Sequence, residues 1–356
     1  MFTYEVTEFG KLPTGETVHK ITFGNGEIIV SVIDFGAAIQ SVRMKDKQSH
    51  MEEIALNYNT IDDLLANAGV FNGATVGRYA NRIAHGKFTL DGVNYEMCVN
   101  NGPNSLHGGK VSWGHKMWQF EKLETADAIG VKMTIVSPDG DENYPGEVTM
   151  SVSFLLNTKN ELTLQYSGRT TKRTVINMTN HSYWNMSGDF KRKIYPQILK
   201  VNAATYLPVV DMIPTGERRP VADSPFDFRE GRPCEQALAI DGGGKPGLDH
   251  CFCLDGYKEG ALELKEAASL YDKESGRLLR VFTTEPGMQV YMGNWIDGVF
   301  PHLQHNAVAL ECQHFPDSPN HPDFPSTVLD PSETYKQTTV FAFSLLWRQH
   351  SKKQEP

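Results

Sequence analysis

The chain has 356 residues, 40% of them hydrophobic and 10% aromatic, which is enough apolar material for a large core. The formal net charge is −9 and no long basic block occurs, so nucleic acid is not an expected partner. No apolar run approaches the roughly 18 residues that a spanning helix requires, so no membrane partner is expected either.

In chain order, the opening "MFTYEVTEFG" lacks the basic and apolar regions of a secretory signal. The five cysteines, Cys98, Cys234, Cys251, Cys253 and Cys312, are odd in number and scattered. Together these features predict free thiols in a reducing cytosol, hence a cytoplasmic protein. "KITFGNGEIIVSVID" is two β-branched runs joined at Gly24-Asn25-Gly26, a hairpin signal. Thr60 to Gly69 predicts a short helix with Thr60 as its cap. In "KFTLDGVNYEM", Phe88 and Leu90 alternate, Asp91-Gly92 turns the chain, and Val93, Tyr95 and Met97 alternate back. "EVTMSVSFLLN" and "ELTLQYSGRTTKRTVINMT" read as two or three further strands.

The run "TVINMTNHSYWNMSG", Thr174 to Gly188, begins as a buried strand and then fills with polar groups. If it is extended, Val175, Asn177, Thr179, His181 and Tyr183 share one face, and Ile176, Met178, Asn180, Ser182, Trp184 and Met186 share the other. The first face would line a pocket for a hydroxyl-rich ligand while the second packs inside, Trp184 included. "EGALELKEAASLYD" fits either helix or strand, whereas "EPGMQVYMGNW" and "TTVFAFSLLW" read as strands. Many short strands with Gly, Pro, Asn and Asp turns predict an all-β sandwich or barrel. With no fixed-period repeat and no linker, the expectation is one domain over residues 1–356 with a frayed tail from about 349.

Four clusters concentrate polar residues outside simple turns. They hold Asn81 and Arg82; His107; His181; and, in the C-terminal third, Asp249, Gln289, Glu311 and His314. Each has a structural alternative. Asn81-Arg82 fits a surface turn, His107 a loop, His181 a satisfied core histidine, Asp249 a turn and Gln289 a solvated strand face. Glu311 follows the apolar "AVAL", where a raised pKa or a strong partner is expected of a carboxylate. His302 with His305, or His314 with His321, are candidate metal pairs, but no H-E-x-x-H or paired C-x-x-C accompanies them, so neither metal nor cofactor is expected. No G-x-S-x-G elbow or P-loop is present.

"GATVGRYANRIAHGKFTLDGVNYEM", "NNGPNSLHGG", "TNHSYWNMSG", "GLDHCFCL", "EPGMQVYMGN" and "ECQHFPDSPNHPDFPSTVLDPSETYKQTT" resemble the aldose 1-epimerases, or galactose mutarotases, in family order from about Gly73 to Phe343. The resemblance implies a large mutarotase-type β-sandwich (supersandwich) that interconverts the α and β anomers of free aldohexoses without a cofactor. It implies Glu311 as base, His181 as acid and His107 as a second active-site histidine. Asn81, Arg82, Asp249 and Gln289 would hold the sugar. The chain departs from the family's common residues at Trp184, Cys312 and His314, which border those positions. A glycoside hydrolase using Asp249 and Glu311 and a non-catalytic sugar-binding module are the alternatives. A small-molecule aldohexose is the expected partner, and the chain is expected to be a monomer or weak dimer.

Overall fold

β-Branched and aromatic residues at alternating positions build most of the regular structure in the computed structural model, which describes residues 1–298 and 302–346. The expected frayed tail, 349–356, lies outside the described residues. A nine-stranded antiparallel sheet starts at Gln119–Glu124, centres on Glu161–Thr170, Tyr335–Leu345 and Arg277–Thr283, and ends at Arg232–Pro233. Against it lie a five-stranded sheet, Thr3–Lys11 to Met51–Glu53, and a six-stranded sheet. In order, the latter is Tyr183–Trp184, Val308–Gln313, Gly287–Tyr291, Asp249–Cys253, Thr205–Tyr206 and Arg219–Pro220. One core joins the three sheets through residues such as Val30, Val152, Phe341, Val290 and Leu310. This is the expected all-β sandwich.

The local predictions meet simple physics. The hairpin pairs Thr17–Gly24 with Ile28–Ile33. The second hairpin turns at Asp91 and Gly92, both at positive φ, as a two-residue turn matching strand twist requires. Thr60 caps Ile61–Ala66 by accepting the Asp63 N–H at 3.1 Å. The ambiguous "EGALELKEAASLYD" contributes the strand Lys265–Tyr271, whose buried Ala268 and Leu270 pair into the nine-stranded sheet. No helix among the described residues is long and apolar enough to cross a membrane.

Thr174 to Gly188 is not one strand. It makes three two-residue pairings with three partners: Thr174–Val175 with Val328–Leu329, Thr179–Asn180 with Thr75–Val76, and Tyr183–Trp184 with Val308–Gln313. Between them, asparagine side chains satisfy the backbone that a ladder would otherwise serve. Asn177 donates to the Ala80 and His314 carbonyls at 3.3 and 3.2 Å and accepts the His314 N–H at 2.9 Å. Asn180 donates to the Gly73 carbonyl at 2.8 Å. The alternation survives the breaks on its apolar side. Ile176, Met178, Trp184 and Met186 all enter the core, and Trp184 packs against Phe341 with ring centroids 5.0 Å apart. On the polar side, Asn177 and Thr179 are fully buried structural residues, leaving His181 and Tyr183 to face a cleft.

Candidate active site

The cleft, of about 590 Å³, has one wall made of strand and one made of loops. On the strand wall, Val308, Leu310 and Cys312 point into the core, so Ala309 and Glu311 point the other way. Met288 and Val290 do the same for Gln289 and Tyr291. Register then gathers residues far apart in sequence. Asp249, Tyr291, Ala309 and Tyr183 lie along one line of cross-strand partners, and Cys251, Gln289 and Glu311 lie along the next. Gln289 donates to Asp249 Oδ1 at 2.7 Å, a diagonal contact between the two lines.

The loop wall is a two-stranded ribbon, Arg82–Ile83 with Ser105–Leu106, followed by Phe71 and His181. At the ribbon's end Asn81 and His107 both take left-handed backbone, φ 62° and 53°. Gly108 next to them is required. At φ 88° it lies so close to the neighbouring backbone that a Cβ would stand 2.2 Å from the Gly77 carbonyl oxygen. Arg82 Nε donates to Asn101 Oδ1 at 3.0 Å, which fixes the guanidinium along the cleft. His181 is held by its backbone, N–H to the Ala74 carbonyl at 2.9 Å and carbonyl to the Gly73 N–H at 3.0 Å.

The walls meet where His181 Nε2 lies 3.5 Å from Glu311 Oε1. Rings of His107, Tyr183, Tyr291 and Phe71 surround the His181 imidazole, with centroids 5.3, 4.9, 6.3 and 6.4 Å away. Burial therefore dominates the electrostatics. It holds the His181 imidazole down at about 4 and depresses His107 strongly, with the His181 and Arg82 charges adding to the effect on His107. It raises the Glu311 carboxyl well above its usual range, helped by the Asp249 charge and opposed by Arg82. Burial likewise raises Asp249, with Arg82 and the Gln289 hydrogen bond acting against it. His181 Nδ1, Glu311 Oε2 and Gln289 Oε1 are buried with no hydrogen-bond partner among the described residues. A hydroxyl-bearing ligand supplies what such atoms lack.

Of the residues singled out in the sequence, Asn81, Arg82, His107, His181, Asp249 and Glu311 line the cleft. Gln289 sits behind Asp249. His314 faces away and pairs with Glu285 at 2.6 Å, and Trp184 belongs to the core. The other histidine candidates serve local structure. His302 stacks on Tyr58, His305 bonds Tyr195, and His321 pairs with Asp317. One ligand atom each from His107, His181 and Glu311 fall within 4.8 Å of one another, close enough for a metal ion. Yet His107 Nδ1 accepts the Asn81 N–H at 3.1 Å, so in the neutral ring the proton sits on Nε2 and leaves no lone pair there. Sequence reasoning missed Phe71, Tyr291, Trp295 and Met212 on the cleft lining. Tyr291 was findable, two residues after Gln289 on the same strand face. Phe71, in left-handed loop backbone, carried no periodic signal.

The sequence model of the aldose 1-epimerase family matches residues 19–342. The chain is similar to the galactose mutarotase of Bos taurus, 39% identical over 345 residues that cover 95% of this chain and 97% of that protein. It is similar to the aldose 1-epimerase of Escherichia coli K12, 32% identical over 342 residues, 93% and 96% of the two chains. Among solved structures it is similar to a galactose 1-epimerase from Lactobacillus acidophilus, with a TM-score of 0.84, 26% identity and coverage of 97% and 99%.

Proposed function

The chain belongs to the aldose 1-epimerase family and is an aldose 1-epimerase; we propose that it opens and recloses free aldohexoses, galactose or glucose, in this cleft, with Glu311 as base and His181 as acid. We read residues 1–356 as one mutarotase-type domain. The observation that carries the site assignment is the 3.5 Å approach of His181 Nε2 to Glu311 Oε1 at the meeting of the two walls.

Anomer exchange needs one proton removed from the C1 hydroxyl and one delivered to the ring oxygen. Both oxygens are bonded to the same carbon. An acid and a base side by side suit that demand better than two carboxylates flanking a bond. Glu311 takes the hydroxyl proton, the C1–O5 bond breaks, and His181 protonates O5. The aldehyde turns about C1–C2, and the reverse transfers close the ring on the other face.

Burial disfavours both a lone imidazolium and a lone carboxylate. Together they compensate, because the charge-separated pair and the neutral pair hold the same number of protons and differ only in where one proton resides. The pair therefore exchanges protons with the sugar without drawing one from bulk solvent. Its titration belongs to the pair, so the near-neutral imidazole expected of an isolated histidine is not needed. Asp249, steadied by Gln289, accepts from sugar hydroxyls, Arg82 donates to them, and His107 donates from Nε2. Tyr291 and Trp295 offer aromatic surface to the apolar face of the ring.

Polarimetry of freshly dissolved α-D-galactose and α-D-glucose tests the reading. The protein should accelerate the drift to equilibrium, and Glu311→Gln and His181→Ala should each slow it by on the order of 10²–10⁴-fold while leaving sugar binding measurable. A Glu311→Gln protein of near-parental rate rules out the assigned base.

A further inference from the structure

Asn81 and His107 face each other at the end of the ribbon where Arg82 pairs with Leu106. Two hydrogen bonds run between them in opposite directions. The His107 N–H donates to the Asn81 carbonyl at 3.0 Å, and the Asn81 N–H donates to His107 Nδ1 at 3.1 Å. The second bond forms only because Asn81 sits at φ 62°, which turns its N–H away from the ribbon and onto the imidazole. Asn tolerates this conformation better than other residues with a side chain. The Asn81 carboxamide oxygen steadies the turn by accepting the Arg82 N–H at 2.9 Å.

A backbone N–H can only donate, so Nδ1 must present a lone pair and the single ring proton must lie on Nε2. Nε2 has no protein hydrogen-bond partner among the described residues, and His107 lines the cleft beside His181. We infer that Asn81 is a positioning residue whose main-chain N–H locks His107 in the Nε2–H tautomer, so that His107 meets the sugar as a fixed hydrogen-bond donor. This rests on the proposed reaction for its use, but the tautomer itself does not. Donation from Nε2 costs no proton transfer. His107 can stabilise charge developing on a sugar oxygen while His181 and Glu311 move protons, and it cannot become a competing base. A donor aimed in advance at developing charge is the kind of group whose misplacement is expensive in rate.

The test is 15N NMR of the full chain labelled at histidine, with the His107 signal assigned by its loss in His107→Gln. The expected spectrum has an unprotonated Nδ1 and a protonated Nε2 that do not change between about pH 5 and 8, where an ordinary imidazole titrates. A proton on Nδ1, or titration within that range, overturns the inference. Asn81→Gly keeps access to positive φ and should keep the spectrum. Asn81→Val cannot hold that backbone, and should lose the fixed tautomer with a fall in kcat of about 10²-fold. A Val variant with the parental spectrum overturns the lock. So does a Gly variant whose only defect is a raised KM, since that would assign Asn81 to sugar binding through its side chain. If the Val protein does not fold, the His107 pair decides. The Gln amide nitrogen stands near Nε2 and the Asn amide nitrogen near Nδ1, so His107→Gln should retain at least tenfold more kcat than His107→Asn, and the reverse order refutes the inference. A wild-type protein with the expected spectrum but no effect in polarimetry would instead refute the proposed function and leave the tautomer standing.

Discussion

The two walls of the cleft are held in place by different means. On the strand wall, Asp249, Gln289, Tyr291 and Glu311 stand on three neighbouring strands whose alternate residues are locked in the core. Their backbone geometry is ordinary and their side chains carry the unusual property, burial of ionisable groups. On the loop wall, Phe71, Asn81 and His107 occupy left-handed backbone, and Gly108 tolerates contact that no other residue could. There the backbone carries the strain. Substitutions on the strand wall should therefore separate activity from stability, and substitutions on the loop wall should couple them.

Glu311→Gln gives the largest expected effect and the sharpest separation. Beyond the loss of rate, it should leave thermal stability unchanged or raised. The folded protein holds the Glu311 proton to higher pH than the unfolded chain does, because burial raises that carboxyl. Its contribution to stability is thus full below the usual carboxylate range and declines as pH rises toward the raised value. Gln removes that decline, so melting curves of the two proteins should diverge as pH increases. A variant much less stable than the parent at neutral pH would break the contrast between the walls.

Gly108→Ala should behave oppositely. The added methyl must displace the backbone at Gly77 and sit at φ 88°, at a cost of about 1–3 kcal/mol. Loss of kcat should accompany a lower melting temperature. An Ala variant with full stability and full activity would show that the loop wall is not strained.

A smaller effect is expected from Asp249→Asn. The Asp249 charge helps to raise Glu311, so its removal should move the acid limb of kcat/KM to lower pH, whatever happens to the height of the profile. An unmoved or upward-shifted limb would mean that the two carboxyls do not interact. The smallest effect should come from Tyr291→Phe. The Tyr291 hydroxyl accepts the Trp295 N–H at 3.0 Å, so its loss should raise KM no more than about tenfold, in keeping with one hydrogen bond of about 1 kcal/mol. A large fall in kcat would instead place that hydroxyl at the reacting atoms.

The difference between the walls also explains what could be read in the sequence. On the strand wall, period-two alternation applies once one side is known: with Leu310 in the core, Glu311 must point the other way, and Tyr291, which went unnoticed, follows Gln289 by two. On the loop wall, alternation has no force. Asn81 and His107 stood out only through the density of polar residues around them and through resemblance, and Phe71 did not stand out at all. "TVINMTNHSYWNMSG" lies between these cases. Its apolar residues obeyed the strand pattern even though the backbone breaks twice, because burial of Ile176, Met178 and Trp184 depends on side and not on a continuous ladder. Asn177, on the face expected to meet a ligand, instead mends one break, and Asn180, which alternation set on the inner face, mends the other.

Sequence by itself determined the strand character, the turns, the faces that must be buried and, through resemblance, the family. All of these depend on neighbours a few residues apart or on motifs that stay together. Tertiary structure alone decided that His181 would lie within 3.5 Å of Glu311, that burial would push the two groups' protonation in opposite directions, and that a main-chain N–H would face His107 Nδ1. Those outcomes depend on register between strands far apart in the chain and on the exclusion of water by the packed whole, quantities that no local pattern encodes.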